Sequence, residues 1–321
     1  MEAFLPPLSL AVERWLGYPA PLLHLIGHPV MWFGRLITLL ESASFRGTRT
    51  AGQKRLAGIV SVVLLVAAAV LPCLLVQAIL RSFPGGWLVE MLLATSFLAQ
   101  KELGRAVATV ATGLRQSLAA GREAVSHVVG RDPQVLGEAG VAGAAIETLA
   151  ESTSDGVVAP WFWLVLFGLP GIAAYKAINT ADSMIGHRNE RYRDYGWAAA
   201  RLDDLVNLVP ARLTALMVVV ACFFVPNASP GNAWKAAWRD AGKHKSPNAG
   251  WPEAAFAGAL RISLGGPRAY DGEVVDLPAM GDGTRALASA HIEWALVLYR
   301  ATLNVLLGFS AVLALALVIS G

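Results

Sequence analysis

The chain has 321 residues, of which 55% are hydrophobic and 15% are charged, and its mean hydropathy is +0.52. Soluble domains carry roughly a quarter charged residues, so this composition argues against an ordinary soluble protein. The formal net charge of +3 is too small to indicate a nucleic-acid-binding protein, and we expect no nucleic-acid partner.

The N-terminal half contains the first predicted membrane helix. Residues 1–55 are mixed in character and predict amphipathic helices that lie at the membrane interface. Residues 56–80 carry no charge and are long enough for one crossing, because a bilayer core requires about 20 apolar residues in a helix. A second apolar helix is predicted to begin at Trp87 and to run on past Gln100 into a polar, amphipathic region.

Residues 157–174 are also apolar, but two prolines and two glycines interrupt them. Basic residues mark the cytoplasmic ends of membrane helices, and they occur both in the loop before residue 56 and throughout residues 176–201. A clean crossing at residues 157–174 would place these two basic regions on opposite faces. We therefore predict that this segment is broken or re-entrant, and that residues 147–155 and 176–204 share one cytoplasmic face.

The C-terminal half adds two predicted membrane helices, residues 205–226 and 295–319, with a long polar loop over residues 227–290 between them. The whole pattern predicts an all-α, polytopic integral membrane protein with about four to five membrane helices, counted at about 20 apolar residues each. We expect residues 1–321 to form a single membrane-embedded domain.

Three polar clusters lie close to these apolar runs. The first contains Glu147, Glu151 and Asp155, which are spaced four residues apart and therefore share one face of a helix. Like charges in this arrangement repel unless a cation or a basic side chain lies between them. The same spacing also fits a solvated helix end.

The second cluster contains Lys176, Asn179, Thr180, Asp182 and Ser183. Helical spacing makes Asn179 a neighbour of Asp182. A carboxylate flanked by an amide and hydroxyl groups offers hard oxygen ligands of the type that magnesium takes. Lys176 lies one turn earlier, where its ammonium group is suited to a phosphate. An ordinary interfacial loop explains the basic residues here but not the close grouping of polar uncharged ones.

Two more polar residues follow the second cluster. His187 lies beside Arg188 and within reach of Asp182, so it is suited to act as a base or as a phosphate partner.

The third cluster contains Arg201, Asp203, Asp204, Asn207 and Arg212, and it leads directly into an apolar run. Asp203 and Asn207 are four residues apart, and Asp204 and Asn207 are three apart, so a helix brings them together. Carboxylates and arginines at the mouth of a membrane helix are costly unless they are paired or bind something. This cluster therefore favours a functional interpretation.

In their order along the chain, the clusters resemble those of a known family. The motifs that carry the resemblance are Gly27-His-Pro-Val30, Glu147 to Pro160, Lys176 to His187, Trp197 to Asp204, Pro210-Ala-Arg212, Ser246 to Glu253 and Leu264-Gly-Gly-Pro267. Together they resemble the CobD/CbiB family, the adenosylcobinamide-phosphate synthases of cobalamin biosynthesis, over about residues 13–300. The chain departs from the family pattern at Glu13, Pro133 and Ser152.

The resemblance implies a carbon–nitrogen ligase in the bacterial inner membrane, with its active site facing the cytoplasm. Such an enzyme uses ATP and Mg²⁺ to join adenosylcobyric acid to (R)-1-aminopropan-2-ol or its O-phosphate. Besides the bilayer, it implies contact with other membrane-bound cobalamin enzymes or self-association. Two alternatives stay open: a corrinoid transporter or binding protein, and a membrane phosphotransferase. The phosphotransferase motif fails, however, because Ser152 and Pro160 stand where its first aspartate and its arginine are required.

For the ligase chemistry we assign the polar residues to four roles. The predicted magnesium ligands are Asp155, Asp182, Asp203 and Asp204. The predicted phosphate-binding residues are Lys176, Ser183, Arg188, Arg201 and Arg212. The predicted catalytic acid–base residues are His187, Glu151 and Glu147. The predicted substrate-binding residues are Asn179, Asn207, Asn248 and Trp251, with the Trp251 ring as an apolar platform for the corrinoid.

Overall fold

The computed structural model describes residues 2–45, 50–129, 133–266, 268–270, 273–275 and 278–320. Two basic residues of the loop before residue 56, Arg46 and Arg49, lie outside these ranges. The α-helices of the described part are α1 (Leu5–Leu16), α2 (Ala20–Ile26), α3 (Pro29–Ser44), α4 (Ala51–Arg81), α5 (Gly86–Thr95), α6 (Gln100–Gln116), α7 (Leu118–Ser126), α8 (Glu138–Thr153), α9 (Ala159–Ile185), α10 (Trp197–Val206), α11 (Leu208–Ala221), α12 (Pro230–Asp240), α13 (Gly250–Ala259) and α14 (Ser289–Ser320).

The predicted fold class is confirmed: the chain is an all-α, polytopic membrane protein. Within the described residues, four helical segments are long and apolar enough to cross a membrane, and a fifth arises if the pair Trp197–Val206 and Leu208–Phe224 counts as one broken span. The four segments are Leu23–Ser44, Ala51–Arg81, Glu138–Ile185 and Ser289–Ser320. The first of these lies in the region for which the sequence predicts only interfacial helices.

Helix α4 shows how the sequence sets a span. Thr50 caps its first turn: the hydroxyl oxygen of Thr50 accepts a hydrogen bond from the backbone N of Gln53 (3.3 Å), and Oε1 of Gln53 accepts one from the backbone N of Thr50 (3.0 Å). This reciprocal capping box satisfies backbone donors that a helix end otherwise leaves unpaired. The charge-free run then continues as helix until Arg81.

Two predictions about other elements are wrong. The second apolar helix does not run on past Gln100, because α5 ends at Thr95 and α6 begins separately at Gln100. Nor are residues 227–290 a simple polar loop, because they contain α12 and α13. Helix α12 buries a face made of small alanines, and this face carries too little apolar bulk to be recognised in the sequence.

Four short strands follow α13: β1 (Leu264–Gly265), β2 (Arg268–Tyr270), β3 (Glu273–Val275) and β4 (Ala279–Met280). They form two antiparallel pairs, β1 with β4 and β2 with β3. In the first pair Leu264 is opposite Met280, and in the second Ala269 is opposite Val274.

The described chain forms two compact units. Unit 1 comprises residues 1–99, 159–207 and 310–321, and unit 2 comprises residues 100–158 and 208–309. Each unit contains residues that the sequence assigns to the functional site.

The apolar segment at residues 157–174 is broken, as predicted. The helical run Glu138–Ile185 has 48 residues. At 1.5 Å per residue a straight helix of that length would extend about 72 Å, against a bilayer core of about 30 Å. The run bends sharply at Gly168, which has a φ of 64° and a ψ of −152°. A φ in this region is easily adopted by glycine alone.

Beyond Gly168 the chain turns back on itself. A Cβ atom added to Gly171 would lie 2.4 Å from the carbonyl oxygen of Trp163, although the two are eight positions apart in the sequence. In a straight helix these residues would be about 12 Å apart along the axis. We call this feature the α9 hairpin, with an outgoing leg over residues 159–167 and a return leg over residues 169–185.

The return leg runs antiparallel to α4 in unit 1. At one end Gly168 lies against Gln77, since an added Cβ would be 2.7 Å from Nε2 of that side chain. At the other end, where the return leg finishes at Ile185, the carbonyl of Tyr195 approaches Gly58 so closely that no side chain fits there. The hydroxyl of Tyr195 also donates a hydrogen bond to Oγ of Ser61 (2.9 Å).

Candidate functional site

The candidate site in unit 1 lies between the return leg of the α9 hairpin and α10. Gly196 packs against the carbonyl of Ile185, so α10 starts beside the end of the return leg. From there α10 runs antiparallel to it. Two side-chain hydrogen bonds join these helices and lie one helical turn apart. One links Asn179 to Asp203, and the other links Tyr175 to Asn207.

Asp203 is the centre of this arrangement. Its Oδ1 accepts a hydrogen bond from Nδ2 of Asn179 (3.4 Å), and its Oδ2 accepts one from Nδ2 of Asn207 (3.0 Å). The residue is only 9% exposed. A buried carboxylate is costly unless it is paired or hydrogen-bonded, and the two amides supply that compensation. Lys176 adds a nearby positive charge, because its Nζ donates to Oδ1 of Asn179 (3.4 Å).

The carboxylate of Asp182 lies close enough to Asp203 for the two to repel each other. Asp204 has a different environment: it forms an ion pair with Arg201 (3.6 Å) one turn earlier on α10. Successive residues on a helix point about 100° apart, so Asp203 and Asp204 approach the return leg from different sides, and the Asp182 carboxylate interacts electrostatically with both. Arg188 adds further positive potential near Asp204.

Among the described residues, no three His, Cys, Asp or Glu side chains form a complete metal-binding group. Magnesium does not require such a group, because it usually binds through one or two carboxylates together with waters and substrate phosphates. Asp182 and Asp203 therefore fit the ion as a pair. A ligand role for Asp204 or Asp155 stays a prediction.

Two further predicted residues, Ser183 and His187, lie in the last turn of the return leg and just beyond its end. His187 is exposed, and its ring lies 6.3 Å from the ring of Tyr192. The hydroxyl of Ser183 donates a hydrogen bond to the carbonyl of Asn179 in its own helix (2.9 Å). Tyr192 in turn donates to Oε1 of Glu41 (2.9 Å), which connects the segment after α9 to helix α3.

In unit 2 the structure brings together Arg212, Asn248 and Trp251. The guanidinium carbon of Arg212 lies 4.7 Å from the centre of the Trp251 ring, and Nη1 of Arg212 donates to Oδ1 of Asn248 (3.4 Å). Two tryptophans that the sequence analysis did not assign extend this group. Trp238 meets the ring of Trp251 edge to face at 5.0 Å, and Trp234 meets Trp238 at 5.6 Å.

The acidic cluster of unit 2 divides into separate environments. Glu147 is buried, and its Oε1 accepts a hydrogen bond from the backbone N of Gly265 (2.8 Å), so this carboxylate supports β1. It also lines a cavity of about 310 Å³ together with Arg285. Glu151 is exposed one turn later. Asp155 lies in the π-helical turn Ser154–Val158, a type of distortion that often occurs at functional sites.

Two aromatic residues of the unit 1 site, Tyr175 and Trp163, are not among the residues predicted from the sequence. Tyr175 directly precedes the second polar cluster and is 1% exposed. Trp163 lies on the outgoing leg of the hairpin, where its Nε1 donates to the carbonyl of Val206 (3.1 Å). Both resemble ordinary apolar residues of a membrane helix, and no sequence signal distinguishes them before the hairpin is known.

Comparisons with known proteins agree with these motifs. The chain matches the family model described as CobD/Cbib protein over residues 7–299. A relative from Rhizobium meliloti (strain 1021), named cobalamin biosynthesis protein CobD, is 45% identical over 316 residues, which covers 97% of each chain. Relatives of the same name from Rhodobacter capsulatus and Brucella suis biovar 1 are each 46% identical, and at least 95% of each chain is covered. No solved structure matches this chain.

Proposed function

This chain belongs to the CobD/CbiB family of cobalamin biosynthesis, and we propose that it catalyses an ATP-dependent amide formation in that pathway. The acid would be adenosylcobyric acid. The amine would be (R)-1-aminopropan-2-ol or its O-phosphate, so that the product is adenosylcobinamide or its phosphate.

Activation of a carboxylate by ATP requires charged and polar groups of the kind that this site contains. A carboxylate is a poor electrophile until one of its oxygens becomes a leaving group. ATP achieves this by transfer of a phosphoryl group, which releases ADP, or of an adenylyl group, which releases pyrophosphate. The amine then attacks the carbonyl carbon, and phosphate or AMP departs. Such transfer depends mainly on positioning and on stabilisation of negative charge.

The arrangement around Asp203 is the observation that carries this proposal. Asp182 and Asp203 form the pair suited to hold Mg²⁺, with Asp204 and Asp155 as further proposed ligands. A bound magnesium ion would neutralise charge that develops on the phosphoryl oxygens. The residues proposed to hold phosphate groups are Lys176, Ser183, Arg188, Arg201 and Arg212.

The other residues act on the substrates. His187 or Glu151 would accept the proton from the attacking amine, and Glu147 would support that part of the site. Asn179 would hold a reacting group near Asp203, whereas Asn207, predicted from the sequence to bind substrate, is 1% exposed and would act by orienting the Asp203 carboxylate. The Trp251 ring, with Asn248 beside it, would contact the corrinoid through apolar surface.

We also propose that the site faces the cytoplasm of a bacterial inner membrane, where ATP is available. The α9 hairpin supports this topology, because a chain that turns back at Gly168 does not need to cross the bilayer there. Assembly with other membrane-bound enzymes of the pathway would shorten the path of the corrinoid between enzymes, and self-association of the chain is the alternative assembly.

The test is a reaction with purified protein in detergent, ATP, Mg²⁺, adenosylcobyric acid and aminopropanol or its phosphate. Mass spectrometry of the corrinoid should show an ATP-dependent gain of the amino alcohol minus one water. Formation of ADP or of AMP would identify the activation step. No mass gain with either amine would contradict the proposal.

A further inference from the structure

Both legs of the α9 hairpin hold the end of α10 by hydrogen bonds from aromatic side chains. On the outgoing leg, Nε1 of Trp163 donates to the carbonyl oxygen of Val206 (3.1 Å). On the return leg, the hydroxyl of Tyr175 donates to Oδ1 of Asn207 (3.0 Å). Val206 and Asn207 are successive residues, so two donors from different legs fix one point of the backbone and the side chain beside it.

The bond from Tyr175 also determines which way round the Asn207 amide lies. A hydroxyl that donates to Oδ1 leaves Nδ2 as the group that faces Asp203, and Nδ2 donates to Oδ2 of Asp203 (3.0 Å). A flipped amide would direct its oxygen at the carboxylate, which is repulsive. Tyr175 and Asn207 are each 1% exposed, so water cannot readily replace the hydroxyl as a partner.

We propose that Tyr175 and Trp163 are positioning residues for the Asp182–Asp203 pair. Tyr175 acts through the Asn207 amide on the direction in which the Asp203 carboxylate points, and Trp163 acts through the end of α10. This inference rests on the proposed function, since it assumes that the carboxylate pair holds a divalent cation. Neither aromatic residue touches the cation or the substrates.

Unit 1 offers a matched control for each residue. Tyr195 is also 1% exposed, and its hydroxyl also donates to a side chain, Oγ of Ser61 (2.9 Å). Trp161 is 2% exposed, and its Nε1 donates to Oγ of Ser310 (2.9 Å). Neither bond leads to a carboxylate of the site. A phenylalanine at any of the four positions removes one side-chain donor, while only two of the four positions are linked to Asp203.

The experiment measures divalent cation binding directly, with Mn²⁺ as the probe and electron paramagnetic resonance as the readout, in the presence of ATP and without the corrinoid. Partners that orient metal ligands typically contribute about 10–100-fold in affinity. We expect Tyr175→Phe to weaken Mn²⁺ binding by about 10-fold or more on that basis, and Trp163→Phe to weaken it less. The controls Tyr195→Phe and Trp161→Phe should bind Mn²⁺ like the wild type.

Thermal unfolding of all four variants provides the comparison for folding. If Tyr175→Phe does not fold, the same test is made by comparing the Mn²⁺ affinity of Trp163→Phe with that of its control, Trp161→Phe. Wild-type affinity in Tyr175→Phe, or an equal loss in Tyr195→Phe, would overturn the positioning role and leave the proposed function intact. A wild-type protein that forms the amide but does not bind Mn²⁺ would overturn the cation role of the pair. A wild type that forms no amide would overturn the proposed function itself.

Discussion

Asn179 and Asp203 are 24 residues apart in the sequence, yet Nδ2 of Asn179 donates a hydrogen bond to Oδ1 of Asp203 across two antiparallel helices. This bond connects the second polar cluster of the sequence to the third. It also brings the positive charge of Lys176 to the edge of a buried carboxylate.

The first prediction concerns the carboxylate pair. Asp203→Asn and Asp182→Asn should each lower the rate of amide formation by about 100-fold or more, the loss typical when an electrostatic group at a reacting centre is removed. Asp194→Asn is the matched control, because Asp194 is also a largely buried carboxylate of unit 1 but pairs with Arg55 (3.3 Å). Steady-state kinetics would check this. Full activity in both site variants would remove them from the mechanism.

The second prediction concerns the Trp251 ring. Replacing it with alanine should raise the KM for adenosylcobyric acid by about 3- to 10-fold, since an aromatic contact contributes about 0.5–1.5 kcal/mol beyond burial of its area. The value of kcat should change little, because the ring contacts substrate away from the reacting atoms. Trp15, which is 81% exposed in unit 1, provides the control substitution. An unchanged KM in Trp251→Ala would argue against a corrinoid platform.

The third prediction tests the turn of the α9 hairpin. Gly168→Ala should lower the free energy of unfolding by about 1–3 kcal/mol, the usual cost of a strained backbone conformation. The added Cβ would also lie only 2.7 Å from Nε2 of Gln77. Gly308→Ala is the control, because Gly308 lies within helix α14 and an added Cβ meets nothing within 4 Å. Denaturation in detergent should leave Gly308→Ala as stable as the wild type or more so.

The fourth prediction is a pH dependence in unit 2. Burial alone would raise the pKa of Asp240, but hydrogen bonds from Arg239, Lys243 and the backbone N of Gly281 hold it well below the ordinary value of 3.8. A carboxylate whose pKa is lower in the folded than in the unfolded protein stabilises the fold at pH values above its unfolded pKa. This stabilisation is lost as the pH falls from the unfolded pKa towards the folded pKa. The wild type should therefore lose stability below about pH 4, the region where an unfolded aspartate begins to protonate.

The variant Asp240→Asn should be less stable than the wild type at pH 7, because Arg239 and Lys243 lose their buried partner. The difference between the two proteins should shrink as the pH falls from 4 towards 2. Unfolding curves at several pH values would measure it. A difference that stays constant over this range would contradict the role of the Asp240 charge.

The sequence predicts some of this structure well, and for identifiable reasons. Helix α4 follows from a run without charge, and the break at Gly168 follows from the glycines and prolines around it. Helices α12 and α13 are missed, because α12 buries alanines such as Ala233 and Ala237 while its tryptophans are exposed. The membrane pattern depends on large apolar residues, which this helix presents on its outer face.

Some contacts of the candidate site can be predicted from the sequence, and others cannot. Spacing along one helix predicts that Asp203 and Asn207 meet, and the structure shows that bond. It does not predict partners on other helices, so Tyr175 and Trp163 are invisible before the hairpin is known. The sequence assigns Asp203 and Asp204 to one role, and it does not predict that their partners differ: Asp203 accepts a hydrogen bond from Asn179, and Asp204 pairs with Arg201.

The central claim is that ATP activates the free carboxylate of adenosylcobyric acid, and the most direct test follows the oxygen atoms of that carboxylate. Adenosylcobyric acid labelled with ¹⁸O in its free carboxylate should be incubated with the protein, ATP, Mg²⁺ and the amine. If ATP activates that carboxylate, one ¹⁸O atom must leave with the activating group and appear in inorganic phosphate or in AMP, in equal amount to the amide formed. Amide without labelled phosphate or AMP, or no amide at all, would contradict the account.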